Sequence, residues 1–113
     1  MNRADPRGTV RIRTRQLPGF VEVRVIIRHP MEFGNVPDAV TGRVRPAHYI
    51  TAVWCESDGR LLWRADWSRA VSRNPFLSFR TSLLQPGDRL GVYWQDNLGM
   101  SDTGETTVGR AGA

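Results

Sequence analysis

Lysine is absent from this 113-residue chain, and all 16 of its basic residues are arginine. Codon usage accounts for such a bias by itself. The functional alternative is a basic surface that recruits an acidic partner, nucleic acid or an anionic lipid surface. Because the arginines are spread along the chain rather than gathered in blocks, the sequence leaves that choice open. Cysteine is nearly absent too. With Cys55 alone, no intramolecular disulfide can form, so a common mark of small secreted domains is missing. No apolar run approaches the ~20 residues that a membrane-crossing helix needs. The opening stretch "MNRADPRGTVRIRTR" carries charge but no apolar region, so no secretory signal is expected there. The last points favour the cytoplasm, an inference that fails if the chain travels folded beside a partner that has a signal.

The chemistry of common active sites is also missing. There is no Gly-rich phosphate loop, no HExxH and no paired-carboxylate pattern. His29, Met31, Glu32, His48, Cys55 and Met100 include the ligand types of a blue-copper site, which is built in β-sandwiches. No histidine follows Cys55, however, and the two histidines have no CxxC or HxxxH clamp with which to hold zinc. No metal or other cofactor is expected. Cys55 falls inside a predicted strand, where a free cysteine behaves as a small hydrophobe rather than a nucleophile. No catalytic residue is assigned.

What the sequence does contain is alternation. A chain of this length makes one domain that buries roughly two-thirds of the surface its unfolded form exposes. Val10 and Ile12 alternate with Arg11 and Arg13, and "FVEVRVIIR" (20–28) alternates again, as half-buried strands do. Further strands are predicted at 48–56, 60–67, 76–84, 89–96 and 100–108. They are separated by "LPG", the Asp-Gly hairpin "SDG" and "QPGD", whose Pro-Gly pair suits a type II turn. Residues 29–46, with three prolines and two glycines, form a long ordered loop. About seven short strands and no amphipathic helix predict an all-β fold, an immunoglobulin-like antiparallel β-sandwich. A small OB-like barrel is the alternative. The domain spans 9–108, with 1–8 a flexible lead-in and 109–113 a flexible tail.

Strand parity places Ile50, Ala52, Trp54, Leu61, Trp63, Leu77, Phe79, Leu90, Val92 and Trp94 in the core. Tyr49, Val53, Leu62, Phe76 and Tyr93 then fall on the outer faces, an apolar surplus that suits a protein-facing surface or extra core beneath the 29–46 loop. Nucleic-acid binding is the physical rival, since Arg11, Arg13 and Arg24 share an outward parity and four tryptophans offer stacking surfaces. The tryptophans match the core or a sheet end, though, which weighs against it.

Four segments, "HPMEFG" (29–34), "RPAHYIT" (45–51), "AVSRNPFLSF" (70–79) and "GDRLGVYWQDNLG" (87–99), resemble the SoxZ family of the thiosulfate-oxidising Sox system. They stand in family order and spacing, and the resemblance runs from about residue 9 to residue 108. Phe33 departs from the family pattern, where threonine is usual, and 35–45 is less basic and differently spaced than in the family. The resemblance implies an immunoglobulin-like sandwich that forms a heterodimer with SoxY, whose mobile C-terminal cysteine arm carries covalently attached sulfur intermediates. It implies a non-catalytic role: holding SoxY and helping present it to a c-type cytochrome enzyme, a sulfate-releasing hydrolase and a sulfur dehydrogenase. It also implies a periplasmic location reached by co-export with SoxY. Neither nucleic acid nor membrane is an expected partner. The candidate contact residues are Tyr49, Val53, Leu62, Phe76 and Tyr93 on the strands, with His29, Pro30, Met31, Glu32, Phe33, Gly34, Asn74 and Pro75 in the loops, where shaping the backbone is an equal possibility. The altered loop leaves service to another periplasmic redox system as the alternative.

Overall fold

The structure, a computed structural model, describes residues 7–34, 37–44 and 46–109. Seven strands follow in order: β1 (Val10–Leu17), β2 (Phe20–Ile27), β3 (Ile50–Ser57), β4 (Arg60–Asp66), β5 (Phe76–Thr81), β6 (Arg89–Asp96) and β7 (Ser101–Thr107). They form two antiparallel sheets, β1-β2-β5 and β4-β3-β6-β7, as the alternation predicted. Most of the expected lead-in and tail lies outside the described residues, as do positions 35, 36 and 45 of the long loop. Among the described residues no helix is long and apolar enough to cross a membrane.

The turns follow their residues. Leu17 pairs with Phe20 around Pro18-Gly19, with Gly19 at φ 82°. Ser57 pairs with Arg60 around Asp58-Gly59, both at positive φ, the geometry that an Asp-Gly hairpin needs. In "QPGD" the Asp88 amide donates to the Gln85 carbonyl at 3.0 Å with Gly87 at φ 93°, as a type II turn requires.

Val21, Val23, Val25 and Ile27 from one sheet meet Val53, Cys55, Leu90, Val92 and Trp94 from the other, all essentially without exposed surface. Two β-bulges change the parity expected for β3 and β4. The first lies between Ile50 and Ala52 and turns both Ile50 and Val53 inward. Trp54 consequently leaves the core and stacks on Tyr93 on the outer face, ring centroids 5.6 Å apart. The second bulge lies at Cys55/Glu56, so that Cys55 pairs with Trp63 but Glu56 pairs with Leu61. Trp63 therefore packs against the core while Leu61 is 54% exposed. The expectations for Val53, Trp54 and Leu61 are thus reversed. The extra residue in each bulge shifts every side chain beyond it to the opposite face.

The two sides of the sandwich close differently. On one side β1 meets β7. A Cβ at Gly104 would lie 2.8 Å from Val10 Cβ, so only glycine permits this approach. Thr9 donates through both its amide and its hydroxyl to Asp102 Oδ2, at 2.9 and 2.6 Å, and receives Trp94 Nε1–H on Oγ1 at 2.9 Å. On the other side the edges β4 and β5 face each other without pairing. Trp63 stacks on Phe79 at 5.8 Å, and Arg60 reaches the Leu83 carbonyl. Leu83, 49% exposed, stands open to solvent just beyond β5, and Leu61 is exposed on the outer side of the edge strand β4.

Candidate functional site

"HPMEFG" begins where β2 stops. His29 is buried and held by its backbone: its amide donates to Asn74 Oδ1 at 3.0 Å, and its carbonyl accepts the Asn74 amide at 2.9 Å. Asn74 adopts a left-handed conformation, φ 50°, which asparagine tolerates better than most residues. Next to it the Pro75 carbonyl accepts the Ile27 amide at 3.0 Å. The "NP" pair is thus a clamp on the end of β2. Met31 is buried at φ 49°, and its sulfur accepts the Ile50 amide at 3.4 Å. Glu32 and His48 exchange backbone hydrogen bonds of 2.6 and 3.0 Å, which ties both ends of the long loop together. Gly34, at φ 96°, lies so close that a Cβ there would sit 2.7 Å from Ala47.

At the centre of this end of the sandwich stands Asp96, the last residue of β6, with no exposed side-chain surface. Its Oδ2 accepts His29 Nε2–H at 3.0 Å and His48 Nε2–H at 2.7 Å. Its Oδ1 accepts the Leu98 and Met100 amides of the "DNLG" turn at 3.0 and 2.9 Å. The His29 and His48 rings meet edge-on at 4.5 Å, and His29 meets Trp94 the same way at 5.1 Å. Asn97 completes the end, accepting the Tyr49 amide and donating to the Ala47 carbonyl, each at 2.8 Å.

The hydrogen bonds assign the protons. His29 Nδ1 accepts the Met31 amide at 3.1 Å, so it is bare and the ring proton sits on Nε2, facing Asp96. Burial pushes the His29 pKa below its ordinary 6.5 despite the pull of Asp96, so the ring is neutral at pH 7. For Asp96, burial alone would raise the carboxyl. The donors from His29, His48 and the Met100 amide outweigh it and hold the group below the usual carboxylate range.

The three residues bring possible ligand atoms within 4.8 Å of one another, a gathering that sequence spacing gave no reason to expect. The donor set nevertheless fits a metal poorly. A cation on His29 Nε2 would have to expel that proton, and Nδ1 cannot take it while facing the Met31 N–H. Nor do the described hydrogen bonds bring any hydroxyl or thiol to either imidazole, so no nucleophile is activated here. As arranged, the cluster is a polar knot joining the 29–48 loop to the end of β6.

The candidate contact residues divide. Val53 lies in the core, against the outward placement expected of it, and cannot reach a partner in the folded chain. His29, Met31 and Pro75 are buried, so their placement suits shaping of the loops rather than contact. Phe76 is exposed (58%) on the outer face of the three-stranded sheet, whereas Tyr93 is half-buried on the outer face of the other sheet. Leu62 and Tyr49 are half-buried and pack against the core. Pro30 is exposed, and so is Phe33, beneath the Arg69 guanidinium at 5.3 Å. Asp96 was missed by sequence reasoning. Its only local signal is an Asp-Asn-Leu-Gly turn, and its partners lie 67 and 48 residues away.

Comparison with known proteins adds the family. Residues 10–107 match the sequence profile described as sulphur oxidation protein SoxZ. The chain belongs to the SoxZ family. No curated protein matches it. Among solved structures, a hypothetical protein, PH1083, from Pyrococcus horikoshii OT3 superposes with a TM-score of 0.59 at 18% identity, covering 88% of this chain and 87% of that one. At that identity the likeness concerns the fold alone.

Proposed function

We propose that this chain is the non-catalytic subunit of a SoxYZ-type sulfur carrier: it holds SoxY, whose C-terminal cysteine bears the sulfur intermediates, and helps present that arm to the Sox cytochrome, hydrolase and dehydrogenase. The observation that carries this reading is the SoxZ match across residues 10–107. The state of Cys55 supports it. The sole thiol of the chain is buried in β3, and burial pushes its pKa up to about 12. Such a thiol is neither ionised nor mobile, so a covalent cargo must ride on another subunit. The open β4/β5 seam supports it as well. Leu61, Leu83 and the Trp63–Phe79 stack offer an apolar strip beside two unpaired strand edges, a surface suited to a permanent partner. Under this reading the chain works in the periplasm after export beside SoxY. Phe33, exposed in the loop that departs from the family pattern, favours a second reading in which the visiting enzymes belong to another periplasmic redox system.

Co-expression with SoxY followed by sizing tests the proposal. The expected result is a 1:1 heterodimer that survives gel filtration, with the chain alone unstable or self-associating. A well-behaved monomer indifferent to SoxY would sink it.

A further inference from the structure

The outer face of the three-stranded sheet has an unusual charge. Strand register sets its side chains in three rows: Arg11, Ile26 and Phe76; Arg13, Arg24 and Ser78; Arg15, Glu22 and Arg80. Arg28 continues the parity of β2 just past its end and is exposed. The only carboxylate is Glu22, nearly buried and shared between Arg24 at 2.9 Å and Arg80 at 3.7 Å. Six arginines against one glutamate give the face a formal surplus of five, which equals the net charge of the whole chain. The other ten arginines are matched by ten carboxylates. An asymmetry that composition left invisible is therefore concentrated on one sheet face.

Beyond the pairing of Arg24 and Arg80 with Glu22, the fold gains little from these arginines. Arg13 stands directly opposite Arg24, and like charges so placed weaken a sheet. Arg11, Arg13, Arg15 and Arg28 make no ion pair among the described residues. Ile26 and Phe76 are neighbours across the β2/β5 pair, and each is about half exposed, placing an apolar contact at one end of the cationic field. Arg80 is already ordered over the Phe20 ring at 5.2 Å.

We infer that this face is a docking surface for a transient partner with an acidic protein surface, separate from the seam assigned to SoxY. The inference rests on the carrier reading only for that separation. The buried centre of a permanent interface is depleted in charge, whereas a field of exposed like charges steers short-lived encounters. Single-stranded nucleic acid fits less well, because its platforms run several stacking rings along the strand, whereas here Phe76 stands at one end of the field and Phe20 lies beneath Arg80. None of the four tryptophans lies on this face: Trp94 is buried, Trp54 is on the opposite sheet, Trp63 lines the seam, and Trp67 follows β4.

The test uses the full-length chain, alone and co-expressed with SoxY, with poly-L-glutamate and oligo-dT as probes. The parent should bind poly-L-glutamate with an affinity that falls as salt rises. Replacing Arg11, Arg13 and Arg15 by Gln should weaken binding about tenfold, while Arg43→Gln, Arg64→Gln and Arg89→Gln together, an equal loss of charge elsewhere, should change it less than about twofold. The first variant should also melt no lower than the parent, because it relieves the Arg13–Arg24 repulsion. Equal losses in the two variants would overturn the inference, since net charge alone would then explain the binding. So would oligo-dT binding as tightly as the peptide, or disappearance of peptide binding in the SoxY complex. Should no SoxY complex form, the carrier reading falls, and the two variants of the free chain still decide the face.

Discussion

The two sides of this sandwich solve one problem in opposite ways. Where β1 meets β7, the sheets come so close that Gly104 must lack a side chain, and a polar chain links His48, Asp96 and His29 through Trp94 to Thr9 and Asp102. Where β4 faces β5, the strand edges stay unpaired and two aromatic rings bridge the gap. The first side is drawn shut by close packing and by hydrogen bonds within the chain. The second leaves backbone and apolar surface for something else to satisfy. A subunit that lives in a complex is expected to be asymmetric in this manner, stable where it is alone and unfinished where it is joined.

Breaking the closed side should give the largest effect. Asp96→Ala leaves two imidazole N–H groups and two amides without their acceptor, and should cost about 4 kcal/mol in denaturant unfolding. Next comes a direct test of the contrast. Gly104→Val forces a side chain into Val10 and should cost about 3 kcal/mol, whereas Leu61→Asp on the open side should change the stability of the free chain by less than about 0.5 kcal/mol yet abolish co-purification with SoxY. If Leu61→Asp destabilises the free chain as much as Gly104→Val does, the seam is ordinary core and the contrast is false.

The smallest effect is that of pH. The folded His29 pKa lies below the unfolded value, so the unfolded chain takes up that proton first. The contribution of His29 to stability is complete above pH 6.5 and declines as pH falls from there towards the folded pKa. Asp96, also depressed, adds its own loss below its ordinary 3.8. Thermal melts at pH 7 and pH 5 should show a drop for the parent and a smaller one for His29→Gln.

Much of this was legible in the sequence. All seven strands were expected, the first two from clean alternation and the rest from runs set between turns such as the Pro-Gly and Asp-Gly pairs, because those signals are local. The parity of β3 and β4 was not legible. A bulge is decided by which residues on β6 and β4 lie opposite, and nothing within "HYITAVWCE" marks Thr51 as the extra residue. Asp96 escaped for the same reason, since a carboxylate ending a strand looks like solvent-facing polarity until both histidines arrive. "SDTGETT" gave no hint that its glycine is the closest point between the sheets. The charged face was hidden in plain composition, for its six arginines are scattered between positions 11 and 80 and meet only through strand register.

The link from Thr9 to Asp102 spans 93 residues. During synthesis the first strand therefore waits, its inner edge unsealed, until β7 has left the ribosome. The sheet β1-β2-β5 can pair once residue 81 has emerged, but the sandwich cannot shut before β7 arrives. Closing so long a loop is slow and entropically costly, so the sandwich should shut late in folding, well after its first sheet can pair.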